Sequence, residues 1–302
     1  MTFGIRGNNY RAELPFIAYE LINSMDQKHI NYLIDIKLAV LIEQKFKFKI
    51  PQKNRADNGK LIKNSDYVIS IGGDGTFLST AKLVGDSSIP IIGVNLGKLG
   101  FLAETSVEQM SKFIQDIVRK KHKIDERSVL EACPLVPQAG SKKKAIKKIY
   151  GLNEIVIHQS GTVKTAEIQA YFNDQLVISY LADGLIVSTP TGSTGYALSS
   201  GGPIVNPTSG VIILAPMYPH TLTARHVILP DNGVLRINVV SKIPVIVTSD
   251  GNNSFRLKSP AEIEIKKADY TIKIAKRRDS NYFKVLNQKL LWGEDVRKNQ
   301  KQ

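Results

Sequence analysis

Along the first third of the chain the apolar positions change rhythm repeatedly. Short β-like runs (FGI at 3–5, KLAVLI at 37–42, DYVISI at 66–71, IPIIGVNL at 89–96) predict strands, while Ala12 to Met25 and Thr76 to Leu83 carry helical spacing. Such alternation predicts βαβ units around a mainly parallel sheet, an α/β, Rossmann-like domain over residues 1–106. Val107 to Lys121 then reads as an amphipathic helix, with Val107, Met110, Ile114, Ile117 and Val118 in register behind Ser106 as N-cap.

Beyond about Asp125 the rhythm becomes that of many short β-branched runs: YGLNEIVIH, EIQAYF, QLVISYL, GLIVST, GVIILA, HVILP, VLRINVV, IPVIVTS and AEIEIKK. Turn residues separate them, with Asn173-Asp174-Gln175 and Asp250-Gly251 as hairpin signals. Spacing of this kind predicts an all-β, sandwich-like domain over 107–279. Tyr282 to Leu291 is helical again, with Phe283, Leu286 and Leu290 as the face expected to dock.

Composition narrows the picture. A length of 302 residues favours two domains, and 42% hydrophobic with 23% charged residues excludes a disordered or collagen-like chain. The single Cys133 permits no internal disulfide and no cysteine-rich zinc site. A charged N-terminus and the lack of any run of ~18 apolar residues lead us to expect a cytoplasmic protein without a membrane partner. The net charge of +14 suits nucleic acid or polyphosphate ligands. Its densest cluster, Lys142, Lys143, Lys144, Lys147 and Lys148, lacks interleaved aromatics, so a solvated loop is expected there and nucleic acid is not.

Asp66 to Val84 places a buried-strand pattern, a glycine-rich turn and a helix start in succession, the arrangement of a phosphate cradle. Gly72, Gly73 and Gly75 let the backbone approach a ligand, and Thr76 stands in the first helical turn. Neither the Walker A nor the dinucleotide fingerprint is present. Asp74 in that turn is an anion beside an expected phosphate, which fits a base or hydroxyl-orienting group. A helix cap is an equal reading on local sequence. Asp183 to Pro207 is a second glycine- and hydroxyl-rich segment, in which Tyr196 could stack on a base. Asn153 and Glu154 stand at the start of a strand, where locally they read as exposed polar residues, and Asp250-Gly251 reads as a plain hairpin turn.

Together and in this order these segments resemble the NAD kinase family. GGDGT alone is shared with diacylglycerol and sphingosine kinases; the discriminating pieces are GVNLGKLGFLAE (93–104), LNEIVIH (152–158), DGLIVSTPTGSTGYALSSGGPI (183–204) and APMYPHTLTARHVILP (215–230). The resemblance implies an N-terminal α/β domain, joined by segment 280–302, and a β-sandwich domain that binds NAD. It implies transfer of the γ-phosphoryl group of ATP to the 2′-hydroxyl of the adenosine ribose of NAD. Asp74 matches the family's proton acceptor and Gly75 an NAD contact. Asn153, Glu154, Asp183, Thr191, Gly192, Ser193, Thr194, Gly195 and Tyr196 match NAD-binding positions. Lys164 and Asn252 also fall at NAD-binding positions, although there, as at Leu181, other members carry different residues. His220 and His226 are expected to be structural. Mg²⁺ on the donor phosphates is expected, without assignable protein ligands, as is a homodimer or homotetramer. A diacylglycerol-type lipid kinase and a non-catalytic dinucleotide- or nucleic-acid-binding protein are the alternatives.

Overall fold

In chain order the elements are β1 (Thr2–Gly7), α1 (Leu14–Gln27), β2 (Asn31–Asp35), α2 (Ile36–Phe46), β3 (Arg55–Ala56), α3 (Asn58–Lys63), β4 (Tyr67–Ile71), α4 (Asp74–Val84), β5 (Ile91–Asn95), β6 (Thr105–Ser106), α5 (Val107–Val118) and β7 (His122–Pro134). They continue as β8 (Ile149–Gly151), β9 (Glu154–Gln159), β10 (Ala166–Phe172), β11 (Gln175–Ala182), β12 (Gly184–Ser188), α6 (Tyr196–Ser199), β13 (Val211–Met217), β14 (Val227–Pro230), β15 (Leu235–Val240), β16 (Val245–Ser249), β17 (Asn253–Leu257), β18 (Ala261–Arg277) and α7 (Tyr282–Leu290). The computed structural model describes residues 1–97, 99–135, 147–161 and 165–291. Of the lysine cluster, Lys142, Lys143 and Lys144 lie outside those residues, and Lys148 pairs with Glu131 at 2.9 Å.

The chain divides into two units, Met1–Glu126 with the segment from Ile272 onward, and Arg127–Thr271. In the first unit β3, β2, β1, β4 and β5 form a parallel sheet in that order, with registers such as Gly4↔Leu33, Ile5↔Ile69 and Ile69↔Ile92. Phe3, Ile5, Ile34, Ile69, Ile71 and Val94 share one core with the inner faces of α1, α2 and α5. Because Met110, Phe113, Ile114 and Ile117 of α5 belong to that core, α5 lies in the first unit, whereas the sequence pattern divides the chain at 106. Ser106 holds the N-cap position of α5, but its hydroxyl bonds the Glu108 side chain and caps no helix amide.

KLAVLI is not a strand. Residues 37–42 lie in α2, whose start Asp35 caps by accepting from the Lys37 and Leu38 amides at 3.0 and 3.2 Å. Leu38, Ala39 and Ile42 face the core while Val40 stays exposed, a helical stripe that a short apolar run does not distinguish from a strand. The strand is the preceding NYLID. In α7 Asn281 caps through its side chain, and Leu286 is buried, but Phe283 is exposed, so the docking face is narrower than the spacing predicts.

The second unit is a two-layer β-sandwich. One layer carries β11-β10-β15-β18, with β7 and β8 paired beside it, and the other carries β14-β13-β12-β9-β16-β17. Alternate residues of both layers (Ile168, Ile237 and Ile263 from one; Ile155, Ile157, Leu185, Leu214 and Val247 from the other) meet in a common core, as the two-residue period of a strand requires. Both predicted hairpins form. Asn173 and Asp174 link β10 to β11, and Asp250 and Gly251 link β16 to β17, all four with positive φ. Among the described residues no helix is long and apolar enough to cross a membrane.

Candidate active site

In the first unit the site grows from the end of β4. Val68 to Ile71 are buried, and at Ile71 the chain leaves the sheet at the carboxyl end of a central parallel strand, where open α/β sheets place their ligands. The Gly72 amide holds the turn to β5 by donating to the Val94 carbonyl at 2.8 Å. A Cβ on Gly72 would stand 2.7 Å from Thr76 Cβ, so the close return of α4 excludes any larger residue. Gly73 and Gly75 are different, since beyond the adjoining backbone nothing lies within 4 Å of where their Cβ would be. These two open walls flank Asp74 beside the first turn of α4, where the Thr76 amide donates to the Gly73 carbonyl at 3.0 Å and the amides before it find no carbonyl within the helix; together they leave the room and the donors that a phosphate uses.

Asp74 does not cap its own helix, because Gly73 occupies the N-cap position. Its carboxylate instead accepts from three successive amides of the segment after β5: Phe101 to Oδ2 at 3.0 Å, and Leu102 and Ala103 to Oδ1 at 3.0 and 3.1 Å. Gly100 packs so close to Asp74 Oδ1 that a side chain there would collide. Lys289 of α7 brings its ammonium to 3.6 Å from Asp74 Oδ2 and 5.0 Å from the Phe101 ring centre. The same segment is braced further along. Buried Lys276 lies 3.5 Å from Glu104 and 3.2 Å from Asp125, and the Ser280 hydroxyl donates to Glu104 Oε1 at 2.7 Å.

In the second unit β9 supplies the framework. Ile155 and Ile157 point into the sandwich core, so Glu154, Val156 and His158 line the opposite face. There they border a cleft of about 370 Å³ with Asp183, Tyr196, Met217, Tyr218, Thr248 and others. Glu154 is only 8% exposed, and among the described residues its Oε2 has no hydrogen-bond partner. Burial, and then the nearby Asp250 carboxylate, push its carboxyl up to about 7, against a smaller opposing effect of the Tyr196 amide.

Asp250 is more than a hairpin residue. Its Oδ2 accepts from the Leu152 amide at 2.7 Å, and its Oδ1 from Asn153 and Glu154 at 2.9 and 3.0 Å, while its own amide donates to the Glu154 carbonyl at 3.2 Å. Burial raises its pKa and these amides oppose the rise. Two carboxylates, Asp74 and Asp250, thus each grip three consecutive amides of a distant segment.

Thr191, Gly192 and Ser193 are buried, and their polar atoms turn inward. The Ser193 hydroxyl donates to the Pro190 carbonyl at 2.7 Å and accepts from the Val205 amide at 3.0 Å, and Arg127 reaches Thr191 Oγ1 at 3.4 Å. Gly192 sits against the Asn153 carbonyl and Ser188 with no room for a side chain. These three build the turn, while Thr194 and Gly195 are half-buried and Tyr196, 44% exposed, faces the cleft. Asn153 is half-buried and its carbonyl accepts from the Thr189 amide at 2.9 Å. Asn252 is exposed, its amide nitrogen on the Asp250 carbonyl at 3.1 Å. His226 Nε2 lies 3.3 Å from Ser200 Oγ and does not line the cleft. Lys164 lies outside the described residues.

The local reading missed the burial of Glu154, the grip of Asp250 and the presence of Lys289. An Asp-Gly pair hides the second, because the hairpin explanation is sufficient by itself. Among the described residues no group of three His, Cys, Asp or Glu side chains could hold a metal ion.

Residues 3–122 match the ATP-NAD kinase N-terminal domain and residues 152–277 the ATP-NAD kinase C-terminal domain. An NAD kinase of Flavobacterium psychrophilum is 36% identical over 299 residues, 98% of this chain and 100% of that protein. One of Sulfurimonas denitrificans is 37% identical over 257 residues, 85% and 88% of the two chains. Among solved structures, yeast NADH kinase complexed with NADH superposes with a TM-score of 0.87 at 24% identity, covering 97% of this chain and 88% of that one. An NAD kinase from Archaeoglobus fulgidus in complex with ATP gives 0.73 at 22% identity over 96% and 99%. These two likenesses show the fold, and the domain matches with the closer relatives show that the chain belongs to the ATP-NAD kinase family.

Proposed function

We propose that this protein is an NAD kinase, a phosphotransferase that moves the γ-phosphoryl group of ATP to the 2′-hydroxyl of the adenosine ribose of NAD. The observation that carries the reading is Asp74: a carboxylate locked by three amides beside a turn whose glycines leave two open walls. Held in one orientation, it needs no rearrangement to receive a hydroxyl, which is how positioning contributes to phosphoryl transfer. The ribose oxygen attacks the γ-phosphorus, the bond to the β,γ-bridging oxygen breaks with its electron pair going to ADP, and the hydroxyl proton passes late to Asp74. Gly72, Gly73, Gly75 and Thr76 provide the phosphate turn.

For the dinucleotide, the same reading gives Glu154 a ribose hydroxyl as partner for its bare Oε2. Tyr196 supplies a stacking face, and Asn153, Asp183, Gly195 and Asn252 surround the adenosine half, with Lys164 carried over from the family resemblance alone. Thr191, Gly192, Ser193 and Thr194 act through the shape of the turn. Magnesium would neutralise charge on the donor's phosphates. Asp74 is engaged by amides and a lysine, so the donor set fits an ion carried in by the nucleotide and no resident protein cage. A cytoplasmic homodimer or homotetramer completes the reading, and light scattering on the purified chain checks the assembly.

The chain matches both ATP-NAD kinase domains, and the Flavobacterium and Sulfurimonas relatives are named NAD kinase, which favours this reading over a lipid kinase sharing only GGDGT. A coupled assay for NADP tests it, with ATP, other nucleotides and polyphosphate as donors and NAD, NADH and diacylglycerol as acceptors. Phosphate appearing on the lipid and never on the dinucleotide would overturn it.

A further inference from the structure

Asp74 is fixed without help from Lys289. Both its oxygens accept amide hydrogens at 3.0–3.1 Å, whereas the Lys289 ammonium stands at 3.6 Å, beyond a hydrogen bond. A cation is nevertheless held there. The Phe101 ring lies under it at 5.0 Å, and Phe101 also donates one of the amides that grip Asp74, so one residue positions both charges. The lysine side chain remains 31% exposed, unlike Lys276, which is 4% exposed and consumed by Glu104 and Asp125. Lys289 therefore has donors to offer a ligand that approaches Asp74. The expected occupant is polyanionic, and an unscreened carboxylate beside it would repel it.

We infer that Lys289 is a further substrate-contacting residue, one that donates from its ammonium to a non-bridging oxygen of the phosphoryl group being transferred. The inference rests on the NAD kinase reading for the identity of the acceptor, but not for the contact with the triphosphate. Lys289 keeps its proton throughout. The ribose oxygen forms the new bond to phosphorus, the hydroxyl proton goes to Asp74, the electron pair of the broken bond leaves with ADP, and the ammonium offsets charge on the equatorial oxygens. A lysine acting on phosphate as a point charge is a common device of phosphate turns.

The test uses the full chain as wild type, Lys289→Met and Lys289→Arg. Turnover of ATP and of ATPγS is measured with NAD, and binding of the non-hydrolysable analogue AMP-PNP and of ADP is measured by calorimetry. Lys289→Met should lower kcat about a hundredfold with little change in the KM for NAD. It should alter the ATP to ATPγS rate ratio, and lose about tenfold of the preference for AMP-PNP over ADP. Lys289→Arg should recover part of each, with Tm unchanged in both variants. Full turnover in Lys289→Met would overturn the inference, as would a loss of rate that tracks a lowered Tm while the thio ratio stays at the wild-type value, the mark of a purely structural tie. If the wild type makes no NADP, the NAD kinase reading fails on its own. The binding comparison then still decides on Lys289, and an unchanged analogue preference refutes it.

Discussion

Replacing Glu154 by Gln should stabilise the ligand-free protein at neutral and alkaline pH and do nothing for it in mild acid. Glu154 is 8% exposed, and its carboxyl is pushed from 4.5 up to about 7, first by burial and then by Asp250. In the unfolded chain the group ionises near its ordinary value; in the folded chain it stays protonated until about pH 7. The stabilisation it contributes is thus complete below the unfolded value and is lost as the pH rises through the folded one. At 1.36 kcal/mol per unit, a rise from 4.5 to about 7 corresponds to roughly 3 kcal/mol lost by about pH 8. Glutamine mimics the protonated acid at every pH and can still accept from the Tyr196 amide. Thermal unfolding followed by circular dichroism should show nearly equal Tm at about pH 4 and a gap that widens toward pH 8. At roughly 2–4 °C per kcal/mol, that gap should reach roughly 6–12 °C. Tm curves that stay parallel across the range would refute the claim that Glu154 titrates as a buried carboxyl. Above about pH 7 the stabilised variant should bind NAD more weakly, since a glutamine cannot present the charged acceptor that a ribose hydroxyl would then use.

Asp74→Asn keeps one oxygen for the amides but sets an NH₂ against the Phe101 amide. NADP formation should fall by about 10²–10⁴-fold with only a small drop in Tm, and a variant that turns over normally would remove Asp74 from the chemistry. Gly73→Ala has open space for its methyl, so its Tm should match the wild type while the KM for ATP rises, whereas Gly72→Ala must displace Thr76 and should lose about 1–3 kcal/mol in chemical denaturation; identical behaviour of the two would contradict the geometry of the turn. Asp250→Asn replaces an acceptor with a donor facing the Leu152–Glu154 amides. It should cost about 1.5–3 kcal/mol and speed deuterium exchange across 152–154 before any other segment, and unaltered exchange there would show that the grip is dispensable.

The amino-acid sequence alone determined the two rhythms of the chain, the glycine turn after DYVISI and both hairpins, because strand period, glycine freedom and Asn/Asp turn chemistry act over a few neighbouring residues. It did not settle KLAVLI, a run short enough to satisfy either period. Asp35 decided by capping a helix there and leaving NYLID to the sheet. The partners of the site's carboxylates were beyond its reach. Asp74 finds its amides 27 to 29 residues away and Asp250 finds its own 96 to 98 residues away, while Lys289 arrives on a helix near the other end of the chain. Local spacing carries no term for such encounters. Which amide meets which carboxylate, and whether Glu154 is buried or exposed, is fixed only when the sheets close over their cores and each buried polar atom must find a partner or be left for a ligand.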